Sequence, residues 1–277
     1  RKIYGGGIFG RINGDTSLRI ENAIVNSVFG GNEYSGTVTG NTKLVFGEGA
    51  QVNGWVYGGG AGFDDTSRTE VLGSANIIIN GGEFWKNVYG GGAWRGAWVG
   101  GSNITVNGGT VHYEMYAGGE ETSYVAGTSR VTVNGGYVDR IYASGAGYNG
   151  TEALVENVDI RIQGGTVDSF WAFKERHDNG TGSNVGISGS LSFELSGGSM
   201  GNSAMIFGQI NENGNYDAGT GLGKLQDVNI SLKNGKWPEL ALAAPISGNL
   251  SVTLEEADVT NLRIKGNVLG NAKGAVL

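Results

Sequence analysis

Several segments of this sequence repeat one pattern: an apolar run, a polar residue, two glycines, and a second run that ends in an aromatic residue. The clearest copies are IIINGGEFWKNVYGGG, ITVNGGTVHYEMYAGGE, VTVNGGYVDRIYASGAG and IRIQGGTVDSFWAFKE. Their glycine pairs begin at Gly81, Gly108, Gly135 and Gly164, which are separated by 27, 27 and 29 residues. A weaker copy has its pair at Gly197. Such a period is typical of folds in which each repeat buries one face against the next.

The aromatic residue that closes each unit recurs in step with the glycines. The column comprises Tyr4, Phe29, Tyr57, Tyr89, Tyr116, Tyr142, Trp171 and Phe207. Two degenerate units without the glycine signature, VNISLKNGKWPELAL and LSVTLEEADVTNLRI, follow toward the C-terminus. We therefore predict a single domain over residues 1–277, with regular glycine-rich repeats in 1–210 and degenerate repeats or a C-terminal cap in 211–277.

Each unit contains the pattern of two short strands. The runs ITV and VTV alternate apolar and polar residues and are rich in β-branched types, and TVHYEMY is a second such run. The Asn-Gly-Gly between them suits a turn, because asparagine and glycine tolerate the left-handed region. No helical period is visible. The sequence predicts an all-β parallel β-solenoid of about 9–10 rungs, each of 25–33 residues.

Composition narrows the functional classes. The chain has 54 glycines in 277 residues without the period of three that collagen requires, and 39% apolar residues can supply a core. A net charge of -7 argues against a nucleic-acid partner. Cysteine is absent, and no apolar run is long enough to insert into a membrane. Because the sequence starts at RKIYGGG, inside a repeat, we expect it to be a segment of a longer protein.

One column of the repeat resembles a known family. The residues Asn80, Asn107, Asn134 and Gln163 are similar to the asparagine ladder at the sharp turn of right-handed parallel β-helix, pectate-lyase-like proteins. The V-Y-G-G-G and N-G-G-T-V units also resemble glycine-rich repeats of bacterial surface proteins and autotransporter-type adhesins. The resemblance implies a right-handed solenoid at the bacterial cell surface or outside the cell. It is compatible with both adhesins and polysaccharide-degrading enzymes, because function depends on sites rather than folds.

The glycine triplets do not carry a phosphate-binding motif, since neither a dinucleotide fingerprint nor a P-loop is present. Asp64, Asp65 and Glu70 form one compact acidic cluster that could hold Ca²⁺ through oxygen ligands, although a solvated loop is the simpler interpretation. No other cofactor is expected.

Aromatic and charged residues concentrate in the second strand and in the loops that follow the closing aromatic. On consecutive rungs they would form one surface on which rings stack on sugars. The predicted ligand-binding residues are Trp85, Trp94, Arg95, Trp98, His112, Tyr113, Tyr124, Tyr148 and Trp171. We expect carbohydrate on a host or neighbouring surface as the ligand.

Three functional hypotheses follow from these residues. We favour an adhesive or structural stalk segment of a bacterial surface protein. A polysaccharide lyase or glycoside hydrolase is the alternative, with Glu114, Asp139 and Arg140 as candidate catalytic residues. Glu114 and Arg140 both lie two residues before a closing aromatic, so stacking should make them neighbours. The third hypothesis is self-association into a surface filament or layer.

Overall fold

The computed structural model describes residues 1–63, 66–147, 151–173, 184–201, 205–207, 209–210, 216–217, 225–242, 244–264, 268 and 270–276. These residues form strands and connecting turns, and none of them is helical. The strands are β1 (Lys2–Tyr4), β2 (Arg11–Ile12), β3 (Thr16–Ile20), β4 (Ile24–Val25), β5 (Ser27–Phe29), β6 (Gly36–Val38), β7 (Thr42–Phe46), β8 (Gln51–Val52), β9 (Val56–Tyr57), β10 (Thr69–Ile79), β11 (Glu83–Phe84), β12 (Val88–Tyr89), β13 (Ala97–Val106), β14 (Thr110–Tyr116), β15 (Ser123–Val133), β16 (Tyr137–Tyr142), β17 (Glu152–Trp171), β18 (Asn184–Ile187), β19 (Leu191–Met200), β20 (Met205–Phe207), β21 (Gln209–Ile210), β22 (Tyr216–Asp217), β23 (Val228–Leu242), β24 (Leu250–Ile264) and β25 (Ala272–Val276).

The protein is all-β, and its main feature is one curled sheet of 23 strands. Strands of consecutive repeats pair in parallel, as in β10 with β13, β13 with β15, and β15 with β17. A separate antiparallel pair joins β21 to β22. Because each repeat lies in register on the next, equivalent positions of successive repeats form columns across the sheet.

The strands that close each repeat separate two apolar clusters. Val28, Val56 and Val88 point into the main core, while the residues that follow them point to the opposite side. These residues form a second cluster, the aromatic cluster, with Phe29, Tyr57, Ala61, Tyr89, Ala93, Tyr116, Tyr142 and Ala146 as its buried members. Short bridges between the loops, Ala61 to Ala93 and Glu120 to Ala146, lie over the same side.

The closing aromatics stack as the repeat predicts. From Tyr4 through Phe29, Tyr57, Tyr89 and Tyr116 to Tyr142, consecutive rings are stacked nearly parallel, with centroids 4.5–4.9 Å apart and interplanar angles of 3–15°. This separation equals the spacing of hydrogen-bonded strands. The rings therefore stack as a direct consequence of strand pairing.

The end of this column differs from the sequence expectation. The ring of Trp171 is tilted by 49° and lies 6.1 Å from that of Tyr142. Its partner in the next strand is Ile206, and Phe207 instead packs against Phe170 and Phe193 in the main core. The assignment of Phe207 to the closing column was wrong by one residue, and a shift of one residue moves a strand side chain to the opposite face.

Glycine serves two different purposes in the repeat. The second glycine of each pair is left-handed, for example Gly109 with a φ of 83° and Gly136 with a φ of 77°. The triplet glycines are required by close approach instead: a Cβ on Gly91 would lie 2.8 Å from the backbone nitrogen of Gly119. These contacts allow the turn of one repeat to lie directly on the turn of the next.

Polar ladders accompany the glycines. Asn107 donates from Nδ2 to Oδ1 of Asn80 at 2.8 Å, and Asn134 donates to Asn107 at 2.8 Å. Inside the protein, the hydroxyls of Thr16 and Thr42 donate to the carbonyl oxygens of Gly30 and Gly58 at 2.7 and 2.6 Å. The predicted amide column is present from Asn80 to Asn134, and Asn107 acts as both donor and acceptor.

The degenerate C-terminal units continue the same sheet. β23 pairs with β19, and β24 pairs with β23 from Leu250 to Ile264. The left-handed position is taken here by one non-glycine residue in each strand, Asn234 in β23 and Glu256 in β24, both with a φ of 50°. Parallel pairing therefore persists where the glycine signature is lost.

We predict that Gly91→Ala lowers the free energy of unfolding by at least about 2 kcal/mol, because its Cβ would press against backbone and against Val125. The matched control is Gly274→Ala, whose Cβ would lie 3.9 Å from its nearest neighbour, the Val252 carbonyl oxygen. We expect the control to change stability by less than about 1 kcal/mol. Urea denaturation followed by circular dichroism measures both, and equal midpoints for the two variants would contradict the close-approach argument.

Candidate functional site

The outward side chains that precede the closing aromatics gather on one surface, the strand face, formed by Trp85, Lys86, His112, Tyr113, Asp139 and Arg140. The rings of Trp85 and His112 stack with centroids 4.0 Å apart and an angle of 9°. His112 Nε2 lies 2.5 Å from Oε2 of Glu83. Trp85 nevertheless remains 47% exposed. The pair forms an ordered aromatic platform on the surface.

A β-bulge extends this platform. In β14, His112 and Tyr113 lie between two paired positions where β16 has only Asp139, so the register shifts by one residue. Bulges of this kind redirect side chains and are frequent near binding sites. Tyr113 is 50% exposed, and Lys86 Nζ lies 5.1 Å from its ring centroid. The platform thus has two exposed rings and a cation at its border.

The candidate catalytic residues lie together beside the platform. Glu114 is opposite Arg140 in the register, and the guanidinium Nη1 is 3.7 Å from Glu114 Oε1. Arg140 Nε is also 3.4 Å from Asp139 Oδ2. Glu114 is buried and accepts hydrogen bonds from Tyr116 Oη at 2.5 Å and from Asn87 Nδ2 at 3.3 Å. These contacts fix the carboxylate of Glu114 and orient Arg140 toward the surface.

Asp139 differs electrostatically from an ordinary surface aspartate. Burial raises the pKa of Asp139, the positive charge of Arg140 opposes the rise, and the carboxylates of Asp168 and Glu114 add to it. Tyr137 also donates a hydrogen bond to Asp139, which favours the ionised form. The raised pKa makes protonated Asp139 accessible at a higher pH than for an exposed aspartate.

A buried hydrogen-bond network underlies the strand face and has no signal in the repeat pattern. The hydroxyl groups of Tyr57 and Tyr89 both donate to Glu120, in the second case at 3.2 Å. Asn87 Nδ2 donates to Tyr89 Oη at 2.9 Å and also contacts Glu114. The network thus connects the loop carboxylate Glu120 with the strand-face carboxylate Glu114.

The structure forms two clefts. The first, the Trp98 cleft, contains Trp98 of β13 and Tyr124 of β15, which are register partners on consecutive repeats. The sequence predicted both residues in loops, whereas both lie in strands. The cavity has a volume of about 210 Å³ and is also lined by Arg68 and Leu154. Arg68 forms an ion pair with Glu70 at 3.3 Å. Two neighbouring rings with a guanidinium close by are a suitable surface for an amphipathic ligand.

The second cleft, the Phe63 cleft, has a volume of about 340 Å³ and is lined by Gly62, Phe63, Trp94, Arg95 and Glu121. Trp94 and Glu121 both have a backbone in the left-handed region, with φ values of 59° and 53°. The Trp94 ring points toward the aromatic cluster, 6.2 Å from Phe29, with Lys2 Nζ 5.1 Å from its centroid. Burial raises the pKa of Glu121, and the charge of Arg95 opposes the rise.

The remaining predicted site residues belong neither to the strand face nor to the lining of the two clefts, or they lie outside the described residues. Trp171 is half-buried, and its buried indole nitrogen has no hydrogen-bond partner among the described residues. Glu70 binds Arg68 and accepts a hydrogen bond from Thr37 at 3.4 Å. Tyr148, Asp64 and Asp65 lie outside the described residues.

Two features are absent from the described residues. They contain no group of three or more histidine, aspartate or glutamate side chains placed to hold a metal ion. The same part of the chain has no helix that is long and apolar enough to cross a membrane.

No protein-family model matches the sequence, and neither the curated proteins nor the solved structures include a significant match. The function of this chain is therefore inferred from its own geometry.

The raised pKa of Asp139 predicts a pH-dependent effect of Asp139→Asn. The folded protein holds the Asp139 proton more tightly than the unfolded chain, so ionisation destabilises the fold as the pH rises through the raised pKa. Asparagine does not ionise. The stability of the variant relative to the parent should therefore increase as the pH rises from about 3 to 7.

Urea denaturation at a series of pH values measures this effect. Asp258→Asn removes an exposed carboxylate, 4.0 Å from Lys236, and serves as the control. A decrease in the relative stability of Asp139→Asn with rising pH would show that the Arg140 ion pair outweighs the burial of Asp139.

Proposed function

We propose that this chain is a segment of right-handed parallel β-solenoid that binds carbohydrate through its strand face, as an adhesive part of a bacterial surface protein. The in-register parallel pairing of consecutive repeats supports the solenoid. The amide ladder of Asn80, Asn107 and Asn134 supports the right-handed, pectate-lyase-like type that the sequence resembles.

The stacked Trp85 and His112 rings are the observation that carries the binding proposal. Exposure of aromatic rings to water is energetically unfavourable. The ordered pair, in which Trp85 is 47% exposed, provides an apolar surface for the C–H face of a sugar ring. Glu83, Asp139 and Arg140 border the rings with acceptors and donors for hydroxyl groups. An apolar platform with convergent polar groups is the usual composition of a ligand site.

The stacked architecture is suited to an extended ligand. Equivalent positions of neighbouring repeats lie about 4.8 Å apart, so a polymer along the repeat axis would meet successive repeats in a regular order. The strand face takes its residues from three consecutive repeats: Trp85, then His112, then Asp139. We propose that an extended glycan, rather than a single sugar, is the ligand.

Trp85→Ala tests this proposal on a glycan array followed by calorimetry with the glycans that bind the parent. We expect the affinity to fall at least about tenfold, which is about 1.4 kcal/mol, because the variant loses the stacking surface. Tyr113→Ala should produce a smaller loss, since Tyr113 lies at the border of the platform.

Phe63→Ala is the matched control, because Phe63 is an aromatic side chain with 61% exposure that lies away from the strand face. Unchanged binding in Trp85→Ala together with a loss in Phe63→Ala would move the site to the loops. Absence of binding to any glycan on the array would reject the proposal.

A polysaccharide lyase or glycoside hydrolase is a second candidate, favoured by one observation. Asp139 has a raised pKa and lies beside Glu114 and Arg140, and such a carboxyl group is suited to general acid catalysis. Catalysis predicts that the parent releases reducing ends or unsaturated products from a polysaccharide panel. Asp139→Asn should lower that rate at least about a hundredfold, the usual contribution of a general acid. No product from the parent would reject this candidate.

A further inference from the structure

A row of three aromatic side chains, with the half-buried Tyr34 between the exposed Phe9 and Phe63, lies on the loops of the first three repeats, apart from the strand face. The ring centroids of Phe9 and Tyr34 are 5.5 Å apart, and those of Tyr34 and Phe63 are 4.7 Å apart. We call these three residues the ring row. Phe9 is 69% exposed, Phe63 is 61% exposed, and the neighbouring Ile8 is 55% exposed. Contiguous exposed apolar side chains are characteristic of interaction surfaces.

The backbone that carries the row is well connected. Glu33 and Tyr34 donate from their backbone nitrogens to the carbonyl oxygens of Gly7 and Ile8, at 2.9 and 3.0 Å. Asn32 accepts from the backbone nitrogen of Gly7 and donates to the carbonyl oxygen of Gly10, both at 3.0 Å. The loops that present Phe9 and Tyr34 are therefore fixed to each other, and ordering them on binding carries little entropic cost.

The ring row ends at the Phe63 cleft. In the next repeat, Trp94 takes a left-handed backbone and its ring packs toward Phe29 instead of extending the row. The described residues place no aromatic ring against Phe63 other than Tyr34. The cleft of about 340 Å³ lies at this end, beside Trp94 and Arg95. The exposed side chain of Phe9 thus lies at one end of the ring row, and the Phe63 cleft lies at the other end.

We propose that two copies of this chain associate in solution through their ring rows, packed antiparallel, with Phe9 of each copy in the Phe63 cleft of the other. The two-fold axis would pass between the two Tyr34 rings. Such an interface is isologous, because the same contact occurs twice. The cleft has room for the phenyl group of Phe9, and closure would remove Ile8, Phe9 and Phe63 from water.

Charge selects the antiparallel arrangement. Arg11 lies two residues after Phe9 in the sequence and is exposed. Its Nε donates a hydrogen bond to Asn13 Oδ1 at 2.8 Å. Glu121 lines the cleft at the opposite end of the row. Antiparallel packing brings Arg11 of each copy to Glu121 of the other. Parallel packing would instead place the two Arg11 side chains together and the two Glu121 side chains together, which is repulsive. The Arg95 guanidinium shares the cleft with Glu121 and limits this attraction.

The surface is small, so the dimer should be weak. A few side chains on each copy fall below the area of a standard interface, and small interfaces are typical of transient complexes. We expect a dissociation constant on the order of 10–100 µM, which corresponds to about 5–7 kcal/mol. The association uses none of the strand-face residues and is independent of glycan binding.

Sedimentation equilibrium over about 5–500 µM protein, around the expected dissociation constant, tests the proposal. The parent should show a monomer–dimer equilibrium, and Phe9→Glu should weaken it at least tenfold, because a carboxylate cannot replace the apolar contacts of the phenyl group with Phe63 and Trp94 and is repelled by Glu121 in the cleft. Tyr113→Glu is the matched control: it places the same charge on a 50% exposed ring of the strand face and should leave association unchanged. Circular dichroism confirms that each variant is folded.

A charge exchange tests the orientation. Arg11→Glu and Glu121→Lys should each weaken association, and the double variant should restore most of it, as expected for two groups that pair across the interface. A parent that stays monomeric at the highest concentration would overturn the proposal. Equal association of the parent, Phe9→Glu and Tyr113→Glu would also overturn it, since any dimer would then use another surface.

Discussion

The parallel register between consecutive repeats is the constraint on which the rest of the structure depends. A strand has a side-chain period of two, so each residue is committed to one face as soon as the register is set. In this protein the register aligns Val28, Val56 and Val88 in the main core and sets the following rings on the opposite side. Buried apolar side chains on both sides oppose a slip of one residue, because it would exchange the two sets. The amide ladder adds a polar contribution to the same register.

The aromatic cluster links this constraint to the candidate sites. Tyr57, Tyr89 and Tyr116 are buried, yet each phenol needs a hydrogen-bond partner. Glu120 and Glu114 provide these partners from the loop and from the strand face. Ion-paired and phenol-bonded carboxylates in a low-dielectric environment are strongly oriented. The orientation of Arg140 at the surface therefore depends on a phenol two residues from Glu114 in the chain.

Columns were predictable from the sequence wherever the repeat length is regular. The contacts between Asn80 and Asn107 and between Glu114 and Arg140 follow from counting residues from the glycine pair or the closing aromatic. The count fails where the spacing changes, as at Phe207, where a shift of one residue selects the other face. The β-bulge at Tyr113 is a local case of the same effect.

Other features could not be found by counting, because they join different columns. The contact between Tyr57 and Glu120 spans two repeats, and side-chain conformation decides it. The ring row does have a sequence signal, since Phe9 and Tyr34 lie five residues after Tyr4 and Phe29, and Phe63 lies six after Tyr57. The same offset in the next repeat falls on Trp94 and Arg95, yet the left-handed backbone at Trp94 turns its ring away. The residue types alone do not predict the left-handed backbone at Trp94.

Stacked repeats also determine where binding surfaces can arise. Inward columns are restricted by close approach, to the extent that a single Cβ on Gly91 would contact backbone. Outward columns carry no such restriction, and each repeat adds one side chain to each of them. A surface such as the strand face can therefore change composition repeat by repeat without altering the core, because the register is held by Val, Tyr and Gly columns that the outward residues do not touch. Function in such a chain is expected to reside in the departures from the repeat: the Trp85 and His112 pair, the bulged Tyr113, and the inward turn of Trp94.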